Sequence, residues 1–409
     1  SSTDGGTVWA VNPVSSNVPL NDRQWIATHG ENEVYLTFKQ LGVLLVGTES
    51  IFVLKSFDGG LTFPQVVEAT TPEFGVQPGD QGNIAVDRNN GNVYTVFIGS
   101  AGNSVYMARS TNGGQSFAIL LAHAGPSGVS YANVFPIVAV DRGSNVHVVY
   151  SDGASIFLTS SQDQGNTWNL PVRVSNGADT KTSLSPWIDA GDAGSVDISW
   201  WGTSSSNNLA PDAQWKVLFA QTQNALARSP SISQSEATGV FHTGPICVDG
   251  TGCASGTRDL AEYASTTIYN DGTAMIVYPD NQHQTNPLTY FVKQSGGNTV
   301  LSKSVTNAVD RMETDVAGSV PRRFALEQNY PNPFNPSTAI RYSIPEAGQV
   351  RLSVYNVLGQ EIAVLVNDQQ SPGSYQVQFD ASRFSSGMYF YRLTAGVSHQ
   401  MTRRMIILK

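Results

Sequence analysis

The chain has 409 residues, with 23 Lys+Arg against 32 Asp+Glu and a formal net charge of −9. That length exceeds what one hydrophobic core usually serves, and the acidic balance makes nucleic acid and anionic lipid poor partners. Only 13% of residues are charged, Gly, Ser, Thr, Asn and Val are plentiful, and no apolar run of about 18 residues could span a membrane as a helix, which together suit an all-β, loop-rich, exported chain. Ser1 in place of an initiator Met reads as a processed N-terminus.

One eight-residue pattern punctuates the first half: Ser56-Phe-Asp58-Gly-Gly60-Leu-Thr62-Phe63, Ser110-Thr-Asn112-Gly-Gly114-Gln-Ser116-Phe117 and Ser161-Gln-Asp163-Gln-Gly165-Asn-Thr167-Trp168. A weaker copy, Ser2-Thr-Asp4-Gly-Gly6-Thr-Val8-Trp9, opens the sequence, and positions 4, 58, 112 and 163 are then 54, 54 and 51 residues apart. A period near 50 points to propeller blades, each a four-stranded sheet that cannot bury its faces alone. Asp or Asn accepts hydrogen bonds from nearby N–H groups, glycine supplies positive φ, and the closing aromatic packs back onto its own blade, so the pattern is a folded turn before it is anything else.

Beneath it runs a second repeat, a pair of short strands joined by a polar turn. Trp25–Ala27 leads to Val34–Phe38, Ile84–Val86 to Val93–Phe97, Ile137–Val140 to Val146–Tyr150, Trp187–Ala190 to Val196–Trp200 and Ser265–Ile268 to Ala274–Tyr278. Five pairs give five detectable blades. Residues 8–16 are placed to supply the outer strand of the last blade and close the ring, which removes exposed edges; a sixth blade would come from sequence before Ser1 or from residues 200–262. The expected organisation is a propeller over residues 1–305, a polar linker over 306–321 and a β-sandwich over 322–409.

The eight-residue pattern resembles the Asp box of bacterial neuraminidase repeats, which lies between the third and fourth strands of sialidase-like propeller blades, away from the central site. From Phe324 onward the chain resembles the type A C-terminal sorting domain of the type IX secretion system, through Asn329-Tyr-Pro-Asn-Pro-Phe-Asn-Pro336, Val354-Tyr-Asn-Val-Leu-Gly-Gln360, Ser386-Gly-Met-Tyr-Phe-Tyr-Arg-Leu393 and Met405-Ile-Ile-Leu-Lys409. Without that likeness, alternating segments such as Ile340–Ile344 and Val350–Val354 still make an immunoglobulin-like sandwich. The resemblance implies the type IX secretion machinery as a partner, and location outside the cell or on the outer surface of a diderm bacterium, attached to surface lipopolysaccharide or released.

Candidate chemistry is sparse. Cys247 and Cys253 are read as a disulfide stiffening a Gly-containing loop. Arg258, Asp259, Glu262 and Tyr263, ahead of the last inner strand, are the residue types of glycoside chemistry, or equally a structural ion pair. The Phe/Tyr-Arg-Ile-Pro motif of sialidases is absent; the corresponding stretch reads Asn21-Asp-Arg23-Gln-Trp25, in which Arg23 could point inward or serve a salt bridge. Asp87–Asn90 and Asp189–Asp192 are weak calcium candidates that hairpin turns explain as well. The six histidines show no ligand spacing, and His147 is expected half-buried in a strand. Trp200, Trp201 and Trp215 are either saccharide platforms or core.

Charge divides the chain. Residues 1–320 hold 14 Lys+Arg and 27 Asp+Glu, net −13, and residues 321–409 hold 9 and 5, net +4. The sequence therefore points to an exported structural or binding protein, self-associating through residues 1–20 or 321–409 or engaging surface glycan, with a sialidase-type hydrolase and a carbohydrate-binding adhesin as alternatives.

Overall fold

The structure is a computed structural model that describes residues 21–42, 49–71, 75–132, 135–249, 252–254, 264–282, 288–301, 324–326, 329, 332, 334–357, 359–395 and 399–408. It divides into two compact units, Ser1–Ser304 and Val305–Lys409. The described residues are all-β. Asp4, Arg258, Asp259, Glu262, Tyr263 and the linker expected at 306–321 lie outside them.

The first unit is a β-propeller, built from antiparallel sheets in which sequential strands pair. The first sheet holds β1 (Asn21–His29), β2 (Glu33–Gln40), β3 (Ser50–Ser56) and β4 (Gln65–Glu68); the second β5 (Pro78–Val86), β6 (Val93–Gly99), β7 (Ser104–Ser110) and β8 (Ala118–Ala124). The third holds β9 (Ile137–Val140), β10 (Val146–Ser151), β11 (Ile156–Ser161) and β12 (Val172–Arg173); the fourth β13 (Thr182–Ala190), β14 (Val196–Thr203), β15 (Gln214–Thr222) and β16 (Ser233–Thr243). The fifth, three-stranded among the described residues, holds β17 (Ser265–Ile268), β18 (Ala274–Asp280) and β19 (Leu288–Lys293).

The first strand of each sheet lies innermost, with β1 against β5, β5 against β9, β9 against β13 and β13 against β17. A second strand is covered on both faces by neighbouring sheets, so β6 and β14 are buried at every residue and read as continuous apolar or small-residue runs rather than alternating ones. One core cluster, centred on Trp200, Ile188 and Ile137, joins the third and fourth sheets; another, with Tyr94, Met107, Val148 and Tyr150, joins the second and third. Packing there is close enough that a Cβ on Gly82 of β5 would stand 1.7 Å from the Pro136 carbonyl oxygen, which requires glycine.

The repeated turns follow the third strands. Ser56 Oγ donates to Asp58 Oδ1 at 2.7 Å and accepts from the Gly60 N–H at 2.8 Å, while Thr62 N–H and Oγ1 donate to the two Asp58 oxygens. Ser110 with Asn112 and Ser161 with Asp163 repeat the arrangement. Gly59 and Gly113 take φ of 73° and 69°, and Gln164 accepts the same left-handed backbone at 61° in the third copy. The closing aromatics do more than pack on their own blade, as the sequence suggested. Phe117 joins the cluster between the first and second sheets and Trp168 that between the second and third, so these two turns wedge against the preceding blade.

The second unit is a sandwich. One sheet has order β20 (Ala325–Leu326), β21 (Ser337–Ile344), β24 (Gly373–Asp380); the other has order β23 (Glu361–Gln370), β22 (Gly348–Tyr355), β25 (Gly387–Ala395), β26 (His399–Ile407). Inward residues at period two, Ile340, Tyr342 and Ile344 facing Val350, Leu352 and Val354, make its core with Tyr391 and Leu393. The proline-rich block stays at the margin, where Phe334 bridges Ile407 and the buried Asn329 receives Tyr391 as acceptor for its N–H at 2.8 Å.

Candidate ligand cleft

The inner strands converge at the ends where β1 and β13 begin, and there a cleft of about 480 Å³ opens between the first and fifth sheets. Asp22, Arg23, Gln24 and Trp25 of β1 form one wall; Val277 and Thr289 of the fifth sheet, with Ala264 and Ser265, form the other; Phe135 and Trp187 close the base. Trp25 stands edge-on to Phe135 at 5.7 Å between ring centroids and tilted against Trp187 at 5.6 Å. Phe135 is a buried member of the core shared by the third and fourth sheets, and Trp25 and Trp187 pack against that core while only partly buried, which fixes all three rings.

Arg23 is the polar centre of the cleft. Its Nη1 donates to Asp80 Oδ1 at 2.6 Å, its Nε lies 3.6 Å from Asp22 Oδ2, and its guanidinium lies 4.5 Å from the Phe135 ring centroid. The backbone that aims it is strained: Arg23 has φ of 61°, a left-handed conformation for a long side chain, and β1 breaks register with β2 between Asp22 and Trp25. Ser185 of β13, two residues before Trp187, is left-handed as well at 54°, in a bulge between Leu184 and Trp187. Bulges on inner strands re-aim side chains at sites. The sequence offered Arg23 an inward or a salt-bridge role; in the structure it makes the salt bridge, to Asp80, and lines the cleft.

Elsewhere the sequence-chosen residues build the frame. Asp58, Asn112 and Asp163 sit in the turns after β3, β7 and β11. Hydrogen bonds from Thr62 hold the exposed Asp58 carboxyl down to about 2. Trp200, Trp201 and Trp215 are at most 1% exposed and are core, which removes them as platforms. His147, expected half-buried, is wholly buried: its Nε2 lies 3.0 Å from Asp141 Oδ2 and its Nδ1 2.8 Å from Ser160 Oγ. Burial alone would raise Asp141, but His147, the Gly194 N–H and Asn145 outweigh it and bring that carboxyl to about 2. Asp189 accepts from the Ile268 N–H at 2.9 Å and Asp87 from the Asn89 N–H at 2.9 Å, so both spend carboxylate oxygens on turns and neighbouring strands. Among the described residues no group of three or more His, Cys, Asp and Glu is arranged to hold a metal.

Cys247 and Cys253 are bonded, with Cα atoms 5.8 Å apart. Cys247 lines a second, shallower depression with Lys181, Leu184, Asn208 and Leu209. Ala264 lines the main cleft, whereas Arg258, Asp259, Glu262 and Tyr263, which precede it in the sequence, lie outside the described residues.

Comparison with known proteins identifies the C-terminal part by sequence and gives the propeller only structural likenesses. Residues 328–408 match the secretion system C-terminal sorting domain family, and that segment is a type IX sorting domain. The chain is thus exported to the cell surface or the extracellular space, and no helix of the described residues is long and apolar enough to cross a membrane. No curated protein matches by sequence. Structural similarity extends to an α-L-arabinanase of Penicillium chrysogenum, at 12% identity over 81% of this chain and 91% of that one with a TM-score of 0.44. It extends also to the GH93 α-L-arabinofuranosidase of Fusarium graminearum, at 12% over 90% and 96% with a TM-score of 0.45. An intramolecular trans-sialidase from Ruminococcus gnavus is similar at 13% over 61% of this chain and 50% of that one, with a TM-score of 0.38.

Proposed function

We propose that this protein is an exported binding protein whose propeller holds a saccharide in the cleft between its first and fifth sheets. The carrying observation is the conjunction, in one cleft, of fixed aromatic faces and a charged group aimed by strained backbone. Trp25 and Trp187 supply surface for the C–H face of a sugar ring, while Arg23, held by Asp80, and Asp22 supply donors and acceptors for hydroxyl groups. The repeated turns act as Asp boxes, structural elements remote from that cleft. The sorting domain delivers the propeller outward and leaves the binding to it.

A sialidase-type hydrolase is less well supported. Such an enzyme needs arginines free to clamp a substrate carboxylate, and the arginine that lines this cleft already faces two carboxylates of its own.

A second reading, self-association, is favoured by one observation. The fifth sheet has three strands among the described residues where the other four sheets have four, and Phe291 of β19 is 64% exposed with its cross-strand partner Val277 at 40%. A strand from residues 8–16 of the same chain or of another copy would complete that sheet through a row of backbone hydrogen bonds. Frontal affinity chromatography of the full chain over immobilised oligosaccharides tests the main reading: retention that weakens in Trp187→Ala supports it, and indifference to every saccharide overturns it. Light scattering of chains with and without residues 1–20 tests the second.

A further inference from the structure

The charge pattern of the cleft goes one step beyond saccharide binding as such. Two ionisable groups line it, Asp22 and Arg23, and a third, Asp80, is paired with Arg23, so that two carboxylates outnumber the guanidinium. Arg23 donates to Asp80 through Nη1, lies beside Asp22 through Nε, and rests its plane on Phe135, so its positive charge is compensated on two sides and its face is covered. An ionised ligand group approaching it would meet the field of both carboxylates at the same time. Like charges brought together in an interface cost several kcal/mol.

Each carboxylate, in contrast, has about four lone-pair positions and uses only part of them on Arg23. Free positions on carboxylates are strong acceptors for hydroxyl groups, and such charge-assisted bonds are short and roughly twice as strong as neutral ones. A guanidinium has five N–H donors in a planar fork, of which two directions are taken here, leaving donors for a ring or hydroxyl oxygen. The aromatic base adds apolar surface without charge. A site of about 480 Å³ lies within the roughly 300–1,000 Å³ of small-ligand sites.

Resting on the saccharide reading, we infer that the cleft selects an uncharged, hydroxyl-rich saccharide and rejects sugars carrying carboxylate, sulfate or phosphate. Asp22 and Asp80 are the specificity-determining groups: Asp22, on the cleft wall, accepts hydroxyl protons, and both hold Arg23 in the compensated state that makes an anion unwelcome. Trp187 and Trp25 set affinity without setting charge preference.

The test uses the full chain and titration calorimetry with two panels of probes, neutral gluco-, manno-, xylo- and arabino-oligosaccharides against 3′-sialyllactose and oligogalacturonate. At least one neutral oligosaccharide should bind at least ten-fold more tightly than either acidic probe, and Trp187→Ala should weaken it at least ten-fold. In Asp22→Asn/Asp80→Asn the cleft's formal charge turns from net negative to net positive with little change of shape. That variant should lose neutral affinity at least five-fold and gain affinity for 3′-sialyllactose. Thermal unfolding of both variants verifies that they fold, and Gln24→Ala, at the rim, serves as a second cleft variant should Trp187→Ala unfold. Acidic probes that bind the unaltered chain more tightly than neutral ones, with binding lost in the cleft variants, overturn the charge selection and keep the cleft. Binding of neither panel, or binding unaffected by the cleft variants, overturns the saccharide reading itself.

Discussion

The junction between the third and fourth sheets and the junction between the fifth and first are built from opposite materials. At the former, Trp200, Ile188, Ile137 and Val149 share a dry core, and the buried Asp141 reaches across to the Gly194 N–H at 2.7 Å while the Arg142 N–H donates to the Gly191 carbonyl. At the latter, Ile26 of β1 is 67% exposed and Phe291 of β19 64% exposed, and the facing surfaces frame a cleft instead of closing on each other. Among the described residues the propeller is held by its closed junctions, and the proposed binding site lies at the open one. That division accounts for strain at Arg23 and Ser185, since the well-packed junctions hold the inner strands rigid enough to sustain left-handed residues at the cleft.

The comparison is broken most forcefully at Asp141. Asp141→Ala leaves the buried His147 Nε2 without its partner and removes acceptors from Gly194 and Asn145; it should cost about 3–5 kcal/mol, read by urea unfolding at neutral pH. The same carboxyl has a sign in pH. Its folded value, about 2, lies below the ordinary one of about 3.9. Its stabilising contribution is therefore present above the ordinary value and is lost as pH falls toward 2. The unaltered protein should lose stability across that window and Asp141→Asn should lose less.

Beside the apolar cluster that joins the fourth and fifth sheets lies a pair of carboxyls, Asp189 and Asp197, and there the sign reverses. Burial pushes Asp197 up to about 7, opposed by the Gln221 amide donating at 2.7 Å and reinforced by Asp189 directly across the strand pair. Burial raises Asp189 too, opposed by the Ile268 and Ala190 N–H groups and by Arg88. A carboxyl raised on folding weakens the protein once pH exceeds its unfolded value, and the full penalty is reached above about 7. Asp197→Asn should thus stabilise by on the order of 1–3 kcal/mol at pH 8 and by almost nothing near pH 4, a difference that thermal unfolding at the two pH values resolves.

The repeated turns give a smaller effect. Ser161 Oγ is buried and serves the Asp163 and Gly165 N–H groups while donating to Asp163, so Ser161→Ala should cost about 1–2 kcal/mol in the same assay. The smallest effect sharpens the open junction. Phe291→Ser should change stability by no more than about 0.5 kcal/mol if the fifth sheet keeps that face in water. A cost above about 2 kcal/mol would mean that a strand or a second copy covers it.

Much of the frame was legible in the sequence because it repeats. The five strand pairs read from apolar runs and polar turns fall on β1–β2, β5–β6, β9–β10, β13–β14 and β17–β18, and the repeated turns fall after third strands as the Asp-box resemblance implied. The sorting domain was legible through its Tyr-Pro-Asn-Pro-Phe and Gly-Met-Tyr-Phe-Tyr blocks. The cleft was not. Arg23 and Asp80 are 57 residues apart, Trp25 and Trp187 far more, and no spacing rule joins residues that meet only when a ring curls. A signal did exist in Asn21-Asp-Arg23-Gln-Trp25, where charges interrupt an inner strand that should be apolar on both faces. Trp200 and Trp201, adjacent in a strand, invited the opposite error. Neighbouring residues point to opposite faces of a sheet, and in a blade both faces are buried.

The central claim is that the open junction, not the disulfide-bordered depression or the sandwich, is where ligand binds. A crystal structure of the full chain grown with the neutral oligosaccharide that binds most tightly tests it most directly. A sugar ring against Trp187 and Trp25, with hydroxyl groups within about 3 Å of Asp22 or Arg23, is the expected result. A sugar bound at another surface, or a cleft filled by a strand of this chain or of a neighbouring copy, would contradict it.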